Sequence, residues 1–298
     1  MVVLGTVLNF MRRAWTPPVT QIDLERALKQ LGLNNQTPLI VHSSLSSLGN
    51  MIGGAKSVLN ALGRYSSTLV MPTFTYYTLV WPAAYRNEDW PISPGEDGPP
   101  FRPDSPVSRD IGRIPQVFLE QAGVLRSQHP TLSFGARGDD AALILGVQTL
   151  EHPYAPIGVL EQLDAWVLLL GVDHRSNTSL HYGEFMAGRP LLERWANTKN
   201  GMVRTFYPNC SAAFNGIEGS LKTLRSLDLG HATLQVARVR DVVAATGRLI
   251  NNHPEALLCS YPNCRCQNVR AKIRRDGIRA RRDTRLEEWL GTQQLEAV

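Results

Sequence analysis

The segment AWVLLLGVDHRSNTSLHYGEFM, Ala165–Met186, decides the fold class. Its first eight residues, Ala165 to Val172, form an uncharged apolar run of the length expected for a strand buried on both faces. A polar turn follows, and Asn177 is placed to cap a helix running to about Met186. A buried strand leading at once into a capped helix is the repeating unit of an open α/β sheet, whose ligand sites lie at the carboxyl ends of its strands. The turn between Gly171 and Glu184 falls at such an end.

Outward from this unit the alternation repeats. Thr37 to Ser43 (TPLIVHS) contains a short apolar run, the small polar loop SLSSLGNMIGG follows, and Ala55 to Arg64 has a helical pattern. Thr68 to Thr75 (TLVMPTFT) reads as a second buried strand. Upstream, Gln21 to Gly32 places Ile22, Leu24, Leu28 and Leu31 at helical spacing. Downstream, helices are expected at Ile111 to Gly123 and Asp139 to Leu145, a strand at Thr233 to Val239, and a helix capped by Asp241 running to Ile250. Strands alternating with helices predict an α/β domain with its sheet covered on both faces. Trp81 to Pro106, rich in Pro, Gly, Trp and acidic residues, interrupts the pattern as an insert or lid at about residues 80–106.

With 298 residues, 43% of them hydrophobic, the chain is long enough to bury one large core or two modest ones. Its formal charge of +5 is unevenly placed: residues 265–285 hold nine Lys or Arg against Asp276 and Asp283, so the rest of the chain sums to −2. We read a body over 1–264 and a basic arm over 265–298. A solvated charged helix, a surface for an acidic partner and a cover over cofactor phosphates all remain open for the arm. Nucleic-acid binding is the alternative function it raises.

No apolar run approaches the roughly 20 residues that span a bilayer. The N-terminal MVVLGTVLNFMRR puts its basic pair after the apolar residues, the reverse of a secretory signal. A cytoplasmic protein without a membrane partner is the expectation. Cys210, Cys259, Cys264 and Cys266 do not make a disulfide framework. The stretch CSYPNCRC invites a zinc reading, with Cys210 as a fourth ligand brought near by the fold, but C-x4-C-x-C is not a standard zinc spacing, so free thiols and no metal are the expectation.

With a helix starting near Asn177, His181 and Glu184 share one face, three residues apart. A carboxylate so placed fixes one imidazole nitrogen and leaves the other to accept a proton. Spacing alone describes an ordinary surface pair equally well. A metal set of His174, His181 and Glu184 lacks the HExxH pattern. The loop Ser43 to Gly54 offers backbone N–H groups and serine hydroxyls to an anion at the start of the next helix, or is simply a capped turn. Neither a Walker loop nor GxGxxG nor GxSxG occurs, which disfavours nucleotide-triphosphate, dinucleotide and serine-hydrolase chemistry.

Four blocks together resemble the aminoglycoside 3-N-acetyltransferase family: HSSLSSLG with GGA (His42 to Ala55), LVMPTFT (Leu69 to Thr75), RSQHPTLSFGARG (Arg126 to Gly138) and LLLGVDHRSNTSLHYGE (Leu168 to Glu184). They stand in the family's order, and the resemblance covers about residues 20 to 260. It implies a single three-layer α/β/α domain with a central, mostly parallel or mixed sheet, distinct from the GNAT acetyltransferase fold. It also implies acetyl-CoA as co-substrate. The family's NTxxH block matches Asn177, Thr178 and His181, with Glu184 as the partner carboxylate, so the resemblance makes His181 the general base. Ser43, Ser44, Ser46, Ser47, Gly53 and Gly54 become the candidate coenzyme A contacts.

Thioester aminolysis needs a base to deprotonate the amine and donors for the developing oxyanion; Thr75 and Thr178 are the candidate donors. Direct transfer in a ternary complex is expected. For the acceptor, Glu88, Asp89 and Asp104 in an insert of local net charge −3 suit a cationic aminoglycoside, or are only a solvated acidic loop. Asn177 and His129 complete the candidate acceptor set; His129 reads equally well as a buried structural histidine. The same chemistry on a non-aminoglycoside biosynthetic amine fits these residues too.

Overall fold

The computed structural model describes residues 17–81 and 98–296. In strand β1 (Leu39–Ser43), Ile40 enters one apolar core while Leu39 and Val41 enter another. Strands β2 (Thr68–Pro72) and β6 (Trp166–Leu170) repeat the division: Val70, Val167 and Leu169 face one side, and Leu69, Met71, Trp166, Leu168 and Leu170 the other. This is the period-two alternation of a pleated strand, with apolar residues on both faces because both are covered. All five residues of β6 are buried. At roughly 2 kcal/mol per buried large apolar side chain, both layers lean on it.

One layer is built by α1 (Gln21–Gln30), α2 (Gly54–Arg64) and α3 (Arg113–Leu119). The other contains α4 (Ala141–Gly146), α5 (Ala155–Gln162), α6 (Ser179–Met186) and α7 (Val239–Asn252). Between them lies a seven-stranded sheet. Its strands include β4 (Leu125–Arg126), β5 (Phe134–Gly138), β9 (Arg225–Leu229) and β10 (Ala232–Arg238), in the order β4-β5-β2-β1-β6-β10-β9. The centre, β2-β1-β6, is parallel, and the strands added at each side are antiparallel. The sheet is therefore mixed, inside an α/β/α sandwich.

A second sheet joins β3 (Leu79–Val80) to a hairpin of β7 (Leu192–Thr198) and β8 (Gly201–Tyr207). Beyond α7 the chain packs back on the body. Helix α8 (Cys266–Asp276) buries Cys266, Val269 and Ile273 in a small core with Leu192, and Leu286 of α9 (Thr284–Glu296) enters the main core. The basic arm lies against the protein here. Arg270 and Arg274 pair with Glu255 at 3.0 and 2.9 Å, and Arg282 with Glu287 at 2.9 Å. Among the described residues no helix is long and apolar enough to cross a membrane.

Two local expectations need correction. Asp241 does not cap its helix: α7 starts at Val239, and the Asp241 carboxylate accepts from the backbone N–H groups of Lys222 and Thr223, both at 2.7 Å. The helix expected from Ile111 to Gly123 spans only Arg113–Leu119, because Gly112 adopts φ 96° and separates it from a 3-10 turn at Arg109–Ile111.

Candidate active site

The carboxyl ends of β1 and β6 open into a cavity of about 810 Å³, lined by Ser43, Ser44, Ser46, Asn177, Thr178 and His181 among others. The β6 strand turns at Gly171, where φ is 69° and an added Cβ would stand 2.7 Å from the Ser47 Cβ. Only glycine lets the serine loop and the turn meet this closely. Asn177 then orders the start of α6: its Oδ1 accepts from the Ser179 N–H at 3.0 Å, and its Nδ2 donates to His174 Nδ1 at 3.2 Å. His174 Nδ1 is thus taken up by the turn, and among the described residues His174, His181 and Glu184 do not bring their ligand atoms together as a metal set.

One turn into α6, His181 Nδ1 lies 2.9 Å from Glu184 Oε2. The other carboxylate oxygen accepts from Arg189 Nη1, and Arg189 Nη2 donates to the carbonyls of Pro254, at 2.9 Å, and Ala256. The three side chains are 8%, 2% and 1% exposed. A carboxylate buried at that level needs partners on both oxygens, and it has them. With Nδ1–H donated to Glu184, Nε2 carries the lone pair. The ring is clamped between Tyr154, stacked at 5.5 Å, and Phe214 at 4.7 Å. Arg189 had no readable signal in the sequence, because it lies past the end of α6, off the helical face that relates His181 to Glu184.

His42, near the end of β1, opens the first of the four sequence blocks but is not among the candidate site residues. Its Nε2 accepts from the Thr178 N–H at 3.4 Å and lies 3.3 Å from the Thr178 hydroxyl. Burial, reinforced by the neighbouring His174 and His181, holds its pKa down to about 3, so the ring is neutral. It ties the first core strand to the first turn of α6.

The remaining candidates divide. Ser44 hydrogen-bonds Ser47 at 2.8 Å and lies 3.2 Å from the Ser46 hydroxyl, while the Ser43 hydroxyl is buried without a hydrogen-bond partner. Gly53 and Gly54 line neither described cavity; Gly53 adopts φ 76° to start α2. Thr75 is drawn away from an oxyanion role: its hydroxyl donates to Pro130 O at 2.5 Å and its N–H to Thr131 O at 2.9 Å. His129 is likewise structural. Its Nδ1 accepts from the N–H groups of Thr131 and Leu132, leaving Nε2–H to the Thr205 hydroxyl at 2.8 Å. Both ends of the Asn177 amide are committed inward, so a substrate contact from it is not supported. Asp104 is exposed and away from the cavity; Glu88 and Asp89 lie outside the described residues.

The cavity wall also carries charge that the sequence reading did not place. Arg109, Arg113, Arg175 and Arg265 line it against Asp110. Arg175 pairs with Asp173 at 2.7 Å, and its hydrogen bonds are the main reason the Asp173 pKa falls to about 2. Arg265 donates to Asn209 O at 3.0 Å and sits 5.6 Å from the Tyr207 ring. Such a rim attracts anions.

The family model for aminoglycoside 3-N-acetyltransferase matches residues 40–251. Aminoglycoside N(3)-acetyltransferase IV of Salmonella sp is 33% identical over 245 residues, which are 76% of this chain and 86% of the relative. The SPbeta prophage-derived aminoglycoside N(3')-acetyltransferase-like protein YokD of Bacillus subtilis is 35% identical over 57% of this chain. Aminoglycoside N(3)-acetyltransferase IX of Micromonospora chalcea is 32% identical, also over 57%. The match spans 66% and 63% of those two relatives' own lengths. Among solved structures, the apoenzyme of aminoglycoside acetyltransferase AAC(3)-IVa superposes with a TM-score of 0.72 at 29% identity, covering 87% of this chain and 100% of that one. The matched residues hold the central sheet strands β1, β2 and β6, the serine loop and the His181–Glu184–Arg189 chain, and the protein belongs to the aminoglycoside 3-N-acetyltransferase family.

Proposed function

We propose that this chain transfers acetyl from acetyl-CoA directly to an amine of an aminoglycoside-like acceptor, with His181 as general base. The observation that carries the reading is the oriented imidazole: Nδ1 is fixed by Glu184, Glu184 is fixed by Arg189, and the histidine lines the cavity. An aminoglycoside amine is mostly protonated at neutral pH, so a neutral Nε2 is the acceptor needed as nitrogen attacks the thioester carbonyl. The proton passes to Nε2, the C–N bond forms, and the thiolate of coenzyme A leaves. Imidazolium formed next to a buried carboxylate is stabilised by it, which lowers the barrier rather than only orienting the ring.

Acetyl-CoA supplies the acyl group when bound. The serine loop and the lining arginines suit its phosphates. The Ser43 hydroxyl, buried at the cavity without a partner, and Thr178 are the donors available to the carbonyl oxygen. Relatives support the acceptor: histidine-to-alanine mutants of AAC(3)-IVa hold a gentamicin and apramycin, at 28% and 31% identity to this chain. Titration calorimetry with coenzyme A, then single-turnover acetylation by wild type and His181→Ala, tests the mechanism. Retained binding with lost turnover supports it; an unchanged rate refutes it.

A second acceptor class has its own support. Among the described lining residues Asp110 is the sole carboxylate, against four arginines, which fits an amine less cationic than an aminoglycoside. Acetylation across a panel of aminoglycosides and simple amines separates the two: turnover confined to the latter selects this reading.

A further inference from the structure

Cys210 lies 49 residues before Cys259, yet it converges with Cys259, Cys264 and Cys266, with all four Sγ atoms within 4.8 Å of one another. Cys210 follows β8, Cys259 and Cys264 lie in the loop CSYPNCRC, and Cys266 opens α8. None is in a disulfide. We infer that these four sulfurs form a closed, structural tetrathiolate site for a thiophilic divalent metal ion, zinc foremost, that pins one wall of the catalytic cavity.

The geometry is that of a tetrahedron slightly expanded. A Zn–S bond of about 2.3 Å places tetrahedral sulfurs about 3.8 Å apart; Cys210 and Cys259 already stand 3.9 Å apart. The Ala212 N–H donates to Cys210 Sγ at 3.3 Å, and the backbone N–H groups of Cys266 and Cys259 face the sulfurs of Cys264 and Cys266. Amide donors aimed at sulfur are the outer-shell support that orients metal thiolates. Binding requires no redox partner: four S–H bonds give way to four Zn–S bonds, up to four protons leave to solvent, and the metal stays divalent. Four thiolates on Zn²⁺ carry a net −2, and the neighbouring cations offset it. Arg265 lies between two of the ligands, and Arg270 closes the loop by donating to Cys259 O at 2.8 Å and Leu258 O at 3.1 Å.

Four sulfur ligands leave no open position, so the ion is structural and not a catalyst. Its role follows from what it joins. Arg265 reaches from between Cys264 and Cys266 to Asn209 O, and Tyr207, Asn209, Ser211 and Arg265 all line the cavity. The small core around the cysteines has six buried residues, too few to hold that wall rigidly without a staple.

The test is metal analysis of the full chain, purified under reducing conditions without a metal-affinity tag. About one zinc per chain is expected, with the four thiols shielded from a disulfide reagent until zinc is stripped. Co²⁺ added to stripped protein should give the charge-transfer and d–d bands of tetrahedral thiolate coordination. The variants Cys264→Ser and Cys266→Ser should lower zinc content and melting temperature together. Reduced wild-type protein that contains no metal, takes up neither Zn²⁺ nor Co²⁺, and titrates as four open thiols overturns the inference, as does a native disulfide between any two of these cysteines.

Discussion

The cavity at the carboxyl ends of β1 and β6 has two walls of different construction. One is made by β1, β6, the serine loop and α6; its groups sit at the ends of strands buried between two helical layers, and its shape follows from the sheet. The other is made by the chain after β8 together with Arg265 at the start of α8, and it rests on a small core, arginine-to-carbonyl hydrogen bonds and the four clustered sulfurs. The first wall holds the oriented His181 and, in the turn before α6, Arg175, while the second adds Arg265 to the rim. The difference teaches that one wall takes its shape from a sheet buried on both faces, while the other is held by side-chain ties across a small core.

Breaking the first wall should have the largest effect. His181→Ala is expected to lower kcat/KM by about 10²- to 10⁴-fold while coenzyme A still binds, measured by single-turnover kinetics beside calorimetry. Replacing Arg189 by Met leaves Glu184 buried with one fewer charged partner. A loss of about 3–5 kcal/mol is expected on denaturant unfolding, and stability unchanged from wild type would show that the pair does not anchor this wall.

Smaller effects test the surroundings. Glu161, on α5, has its pKa raised to about 7, first by burial. Being raised above its unfolded value of 4.5, it contributes stability fully below that pH, and the contribution disappears as pH rises through 7. Up to about 3 kcal/mol follows from the shift, so Glu161→Gln should flatten the stability profile across this window. A profile with the wild-type slope would dismiss the assignment. Thr75→Val, which removes a buried hydroxyl bonded to Pro130 O, should cost about 1 kcal/mol of stability and leave kcat near wild type. A hundredfold fall in kcat would restore Thr75 to the oxyanion site.

The same contrast governs what could be read from the sequence. The first wall was legible because its signals are local: apolar runs, a polar turn at Asn177 one residue before the helix's N-cap Thr178, and a histidine and carboxylate three residues apart on one helix. The second was not. Its hairpin, LERWANT then GMVRTFY, alternates and carries the Asn200–Gly201 turn signal, but Glu193, Arg194 and Arg204 break the apolar pattern, and no strand is expected there from the sequence. Helix α5 is short and opens within the proline-containing stretch HPYAPIG, which disguises its start. Cys210 meets Cys259 across 49 residues, and no spacing rule spans that distance. The roles of Thr75 and His129 were hard to read for a related reason: their residue types suit an active site, while the fold gives the Thr75 hydroxyl and N–H to Pro130 and Thr131 and the His129 ring to Thr131, Leu132 and Thr205.

Arg189 also bears on how this protein can be shortened. A chain cut after Asn252 would keep the central sheet, α6 and the residues assigned to proton transfer, and by inspection of those parts alone would pass as a minimal enzyme. Yet it would delete the Pro254 and Ala256 carbonyls that hold the arginine beneath Glu184. The segment after α7 is thus a buttress, through Arg189, for the His181–Glu184 pair, and an engineer who trims it as a spare tail would loosen from behind the histidine proposed as general base.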